Sequence, residues 1–454
     1  MRRDAVRRGA AAALAAASAL ALGGGTARAN GRVPTILSVE ARDDTPATIM
    51  LGATFGLVVT FDGGATWGYV CETALGYMGT FDPIFVDGST GTWMATLFDG
   101  IARTDDGGCT WTTPGGTEGI GGWRSLVENP TVPGNFFAAT GGDSGSFAVY
   151  ASTDDGLTFA PTTLASPAMY YDGIVVSPVD PMRIYVGSWY PMPRQGWVNR
   201  SDDGGGSWTT TEHSTMNQIR LRVLGTSATD PDVVLWIEDG MFDQIWRSDD
   251  GGVTGSVSWD GEGAPFAAFT VAPDGTMYAA NLAGVLVSST DDGLTWNPAG
   301  MMLVTCLEAT SSTVYACTNA FATMFAAMGS PDQGMSFDGL YSFADTDGPM
   351  PSCGTGTEVH ALCDPGWPAL RIALGIDMNP DGGKGGTDAG VDGDAGGADG
   401  GRGKPCGGGC AVAPGGKSGG GGAAGVGLAL LALLGVARLR AGAVRRAARR
   451  RAAR

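Results

Sequence analysis

Ser289-Thr290-Asp291-Asp292-Gly293-Leu294-Thr295-Trp296 is one copy of an eight-residue pattern, S-x-D-x-G-x-T-W, that runs through the chain at nearly even intervals. The chemistry of a tight β-hairpin accounts for each fixed place. An Asp side chain accepts hydrogen bonds from backbone N–H groups a few residues on, Gly supplies φ > 0, and Ser/Thr hydroxyls add local bonds. The terminal Trp opens the next strand and packs inward.

The copies are TFDGGATW from Thr60, TDDGGCTW from Thr104, STDDGLTF from Ser152, SDDGGGSW from Ser201, SDDGGVTG from Ser248, STDDGLTW from Ser289 and SPDQGMSF from Ser330. Their third-place aspartates, Asp62, Asp106, Asp154, Asp203, Asp250, Asp291 and Asp332, define seven units of about 45 residues. The fifth copy departs at its last place, where Gly255 stands for the aromatic residue and Trp259 follows four residues later, so a bulge or widened turn is expected there. Each unit repeats one order: an apolar run, a Pro/Asp/Gly turn, two further runs, the aspartate turn, and a fourth strand. Four short antiparallel strands per unit make the blade of a propeller, which buries both faces only against neighbouring blades. The expected fold is all-β, a seven-bladed β-propeller over residues 30–375.

The pattern resembles the Asp-box, or BNR, repeat of sialidases, sortilin-type receptors and photosystem II assembly-factor propellers. The resemblance implies that the box is the turn between the third and fourth strands of a blade, on the face away from the usual ligand site. In that reading the seven aspartates are structural, not catalytic.

Composition agrees with an all-β chain: Gly numbers 76 of 454 residues, only 16% are charged, and apolar residues come in short runs. Residues 30–410 hold 14 Lys+Arg against 45 Asp+Glu. A surface that acidic repels nucleic acid and anionic lipid and favours solubility. No nucleic-acid partner is expected.

Residues 1–29 join Arg2, Arg3, Arg7 and Arg8 to an Ala/Leu run and Ala27-Arg28-Ala29, the order of a secretory signal peptide. Residues 376–405 are a Gly/Asp-rich stretch with too little apolar surface to fold, read as a disordered acidic linker. The last segment, 406–454, sets Cys406 and Cys410 before a Gly-rich spacer, an apolar run from Ala423 to Ala437, and eight arginines from Arg438 to Arg454. That run is short for a transmembrane helix, and the arginines hold it on the cytoplasmic side. The order resembles the C-terminal sorting signal of myxobacterial surface proteins. It implies contact with the export and surface-sorting machinery, cleavage or anchoring near Cys406 and Cys410, and display outside the cell; a permanent single-pass anchor is the alternative.

Cysteines in an exported protein read first as disulfides. Cys306 and Cys317 fall on the first two strands of the seventh unit, Cys353 and Cys363 follow the last blade, and Cys71 and Cys109 fall on outer strands of neighbouring blades. The expected pairs are Cys71 with Cys109, Cys306 with Cys317 and Cys353 with Cys363. With no CxxC and two distant histidines, no metal site and no cofactor is expected.

Ligand-face loops of a propeller join strand four to the next strand one, and strand two to strand three. Here they gather Tyr170, Tyr171, Trp189, Tyr190 and Trp197, flat aromatic surface suited to a glycan or protein ligand; otherwise these rings fill gaps between blades. The sialidase resemblance implies a second function. Arg32-Val33-Pro34 stands where sialidases carry Arg-Ile-Pro, and Arg124 and Arg220 are the other arginines near strand-one starts; three such arginines clamp a substrate carboxylate. Tyr170 or Tyr171 with Glu118 is the nearest match to the tyrosine–glutamate pair of that family. The leading function is a non-enzymatic binding or scaffolding module on the cell surface, and the alternative is a sialidase-type or other glycoside hydrolase. Mass spectrometry of the mature chain is expected to show a C-terminus near Cys406–Cys410; an intact Arg454 rules out sorting by cleavage.

Overall fold

The computed structural model describes residues 32–376 apart from residue 80, the segments 142–146, 192–193, 214–219 and 240–242, and the side chains of 191–194 and 239. The expected signal peptide, the linker beyond Ile376, and the segment 406–454 with Cys406 and Cys410 lie outside the described residues.

The seven units fold as seven sheets, and the innermost strands of successive sheets lie side by side until blade seven returns to blade one. The result is a closed seven-bladed β-propeller. In each blade the strands follow chain order from the axis outward. Blade two has three full strands, and only the bridge between Arg103 and Thr112 stands for its fourth. Pro114 ends that edge because it has no N–H to give to the ladder.

The aspartate turn joins strands three and four of each blade, as expected. In the sixth, the Ser289 hydroxyl donates to Asp291 Oδ1 at 2.8 Å and accepts the Gly293 N–H at 2.9 Å. Asp291 also accepts the Thr295 N–H at 2.9 Å and the Thr295 hydroxyl at 2.6 Å. The same set recurs around every third-place aspartate, from Asp62 to Asp332. These bonds hold Asp62, Asp203, Asp250, Asp291 and Asp332 down to about 2, so each turn carries a fixed negative charge. The fifth place is always Gly, with positive φ, because the turn lies against the preceding blade. A Cβ on Gly293 would stand 2.8 Å from Leu235, and one on Gly252 the same distance from Val198.

The fifth turn is not widened. Asp250 makes the full set of bonds, and the bulge in the following strand pair recurs in blades six and seven. Gly255 lacks a side chain because the ring of Trp236, from the second strand of the same blade, occupies that place; a Cβ would meet it at 2.3 Å. In blades one, two and four the turn's own Trp fills the site, its indole N–H donating to the fifth-place carbonyl, as Trp67 does to Gly64 at 3.1 Å; in blade six the Trp296 indole donates instead to the Ser258 hydroxyl at 2.8 Å.

Arginines just before the turns bind one blade to the next. Arg103 Nε donates to the Asp155 carbonyl at 2.8 Å while its guanidinium pairs with the Asp155 carboxylate at 2.9 Å, and Arg247 Nε reaches the Asp292 carbonyl at 2.8 Å. Asp155 and Asp292 are the fourth-place residues of blades three and six, both at positive φ.

Ring closure uses no exchanged strand within a blade. After blade seven the chain crosses to blade one, where Thr346–Pro349 runs parallel to the outer strand Trp67–Cys71. Two short helices follow, Glu358–Cys363 and Trp367–Ala373. The disulfides join this segment to the ring: Cys71 pairs with Cys363 and Cys109 with Cys353, while Cys306 pairs with Cys317 as expected. The expected Cys71–Cys109 and Cys353–Cys363 pairs are therefore corrected. Met350 lies between the two blades, its N–H donating to the Tyr69 carbonyl at 3.0 Å and its methyl group against Gly108. The returning segment thus fills the gap between outer strands, and each cysteine meets it instead of its neighbour in the ring.

The inner strands line an axial channel. Val127 and Val175 hold one position on its wall, while blades one and seven place Glu40 and Glu308 there; all four pair with the second residue of the following strand. At one mouth the channel widens into a cavity of about 910 Å³ bordered by Arg42, Glu128, Phe269 and Glu308. Burial pushes Glu308 up to about 8, and burial with the charges of Glu308 and Asp87 holds Glu40 well above the carboxylate range. Burial also pushes Asp87 up to about 6.

Two outcomes follow. Removing Cys71–Cys363 or Cys109–Cys353 by paired Cys→Ser substitution should cost up to about 5 kcal/mol, since the closed loops span 292 and 244 residues; urea unfolding measures it, and no loss refutes these pairings. The channel carboxyls bind protons more tightly folded than unfolded, so between about pH 5 and pH 8 the native state holds more protons and stability falls as pH rises. Melting temperature should decline across that window, and Glu308→Gln should flatten the decline.

Candidate ligand face

The face opposite the aspartate turns is built from the hairpins joining strands two and three and the connections between blades. Its best-defined cluster lies between blades three and four. Tyr170, first residue of the inner strand Tyr170–Val176, stacks on Trp189 of the next strand at 4.4 Å between ring centres, and on Phe147 of blade three at 5.2 Å. The Arg124 guanidinium sits 5.5 Å from the Tyr170 ring centre and donates through Nε to the Gly141 carbonyl. Antiparallel pairing places Tyr170 directly across from Trp189, which explains their stack. Trp189 is partly exposed, and its indole Nε1 is a buried donor with no partner among the described residues.

The other expected aromatics do not join this stack. Tyr171 is buried in the core between blades three and four, and burial pushes its phenol up to about 12. Tyr190 pairs with Gln195 and Trp197 with Ser188, so strand alternation puts both on the opposite side of the sheet from Trp189; both are partly exposed. Five residues read as one patch thus divide into a stacked pair, one core residue and two on the other side.

The three arginines are also divided. Arg124 and Arg220 flank the inner strand of blade four, one over Tyr170 and the other in a salt bridge with the buried Asp172, to which Arg220 Nε donates at 2.7 Å. Arg32 stands at blade one, paired with Asp82 at 2.6 Å and donating to the Phe81 carbonyl. Glu118 accepts the Gly116 N–H in the connection after blade two, and no described contact joins it to Tyr170 or Tyr171. A tyrosine nucleophile needs a lowered phenol pKa, and the shift at Tyr171 is in the opposite direction.

Among the described residues, no group of three or more His, Cys, Asp or Glu is arranged to hold a metal ion. Sequence reasoning missed Glu238, buried near the ligand-face end of its strand in blade five, which burial pushes up to about 7 while the Trp236 indole donates to it at 3.3 Å. Nothing in the sequence separates it from other surface carboxylates. The channel pair Glu40 and Glu308 did carry a signal: the inner strands of blades one and seven read Val-Glu-Ala and Leu-Glu-Ala at matching places.

Three disulfides fit an oxidising environment. No described helix is long and apolar enough to cross a membrane, and the apolar run 423–437 lies outside the described residues.

No protein-family model and no curated protein matches this chain. Solved structures share the fold at low identity. An ancestral GH74 enzyme is 14% identical with a TM-score of 0.43 over 62% of this chain, which spans only 39% of that enzyme. YCF48 from Cyanidioschyzon merolae is 14% identical with a TM-score of 0.45, over 63% of this chain and 93% of that one. YCF48 bound to D1 peptide is 18% identical with a TM-score of 0.43, over 63% and 91% of the two chains.

Proposed function

We propose that the protein is an exported, surface-displayed binding propeller without catalytic activity, taking a glycan or protein ligand on the loop face of blades three and four. The observation that carries this reading is the Arg124–Tyr170–Trp189 stack. It offers a rigid, partly exposed aromatic edge beside a cation, the features that stack on sugar rings and peptide side chains at low entropic cost. The leader, the acidic stalk and the cysteine–apolar–arginine terminus are the sequence basis for display.

The sialidase-type reading has less support. Its clamp needs three converging arginines, whereas Arg32 is engaged with Asp82 on blade one and Arg220 with Asp172 on blade four. Glycan and surface-polymer array binding, run beside a glycosidase panel, tests the proposal. Binding without turnover is expected, weakened at least about tenfold by Ala at both Tyr170 and Trp189 with melting temperature retained. Unchanged binding in that variant sinks the site, and release of fluorophore from a sialoside, lost in Arg32→Ala, sinks the non-enzymatic reading.

A further inference from the structure

Blades six and seven present a second surface on the same loop face, chemically unlike the first. Leu282, Met301, Leu303, Phe321 and Met324 are 52%, 82%, 52%, 79% and 78% exposed. They come from three segments that touch. The Met302 N–H donates to the Gly284 carbonyl at 2.8 Å, bringing the hairpin of Leu282 against the connection of Met301 and Leu303. Val304, next to Leu303, pairs with Thr318, and the helix Ala320–Thr323 starts two residues on with no buried side chain. Residues 281–304 carry only the charged pair Asp291 and Asp292, which sit in the aspartate turn at the far end of the blade, and residues 309–330 carry no Asp, Glu, Lys, Arg or His. A polar edge begins at the neighbouring connection, where the Asn281 amide donates to the Gly261 carbonyl beside the exposed Asp260 and Glu262.

We infer that this surface is where two copies of the chain meet. Single exposed apolar residues are ordinary, but five large ones in contiguous loops are not. At 150–250 Å² for a large side chain, they expose on the order of 600 Å², close to the roughly 800 Å² that each partner contributes to a stable interface. Charge selects the occupant. Residues 30–410 hold 14 basic against 45 acidic residues, so an anionic bilayer repels the body of the protein, and two copies repel each other wherever their carboxylates come close. The carboxylate-free patch lets like meet like without that penalty, as a two-fold interface requires. Methionine and leucine side chains repack readily in such self-complementary contacts.

Sedimentation of the full chain across concentration tests this. A monomer–dimer equilibrium is expected, strengthening as salt rises from about 0.02 to 0.3 M because screening relieves repulsion between acidic bodies. Met301→Asp with Phe321→Asp should weaken dimerisation at least about tenfold, as should the milder Met324→Asp if the double variant fails to fold. Met335→Asp, in the aspartate turn of the opposite face, should leave it unchanged. A chain monomeric at about 200 μM, association that weakens with salt, or association indifferent to the patch variants would each overturn the inference.

Discussion

The structure depends on one local interaction, a carboxylate held by two hydroxyls and a backbone N–H inside a tight turn. Each aspartate turn satisfies its own backbone donors, sets two successive residues at positive φ, and aims the outer strand back along the blade. The bonds are short-range and do not depend on the rest of the ring, so every unit can define its own hairpin before its neighbours form. The glycine at the fifth place then lets the turn lie against the preceding blade, which turns seven hairpins into a stack with a fixed rotation.

Local turns do not close a ring. Closure here comes from the returning segment 346–374 and two disulfides that tie it to the outer parts of blades one and two. It buries Tyr69, Met350, Val359 and Cys363 in the same core as blade one, so the end of the propeller is packed into its beginning. Covalent bonds spanning 292 and 244 residues restrict the unfolded chain far more than the Cys306–Cys317 bond, which spans 11 within one hairpin.

The sevenfold frame is uniform, and its decorations are not. Blades three to five carry Arg124, Tyr170, Trp189 and Arg220 on the loop face, blades six and seven carry an uncharged apolar surface, and blades one and seven place two carboxyls on the channel wall. A repeat fold permits this because a blade needs its neighbours only through its packed faces, leaving loop and channel positions free to differ.

The number of blades, the place of the aspartate turns and the strand order were legible in the sequence, because each rests on residues close together along the chain: Ser289 meets Asp291 and Gly293, and Asp291 meets Thr295, whatever the other blades do. The Cys306–Cys317 pair was legible for the same reason, its cysteines facing each other on adjacent strands. What only the tertiary structure decided joins residues far apart. Cys71 found Cys363 because the last segment enters the gap between blades; Trp236 took the place that Gly255 leaves empty; Arg32 met Asp82 and not Arg124 or Arg220. Tyr170 and Trp189 were visible as aromatic residues, but their stack, and the separation of Tyr171, Tyr190 and Trp197 from it, came from strand register and burial. Hydrogen bonds within a turn are specified by spacing along the chain, whereas contacts across a ring are specified by packing geometry that spacing does not encode.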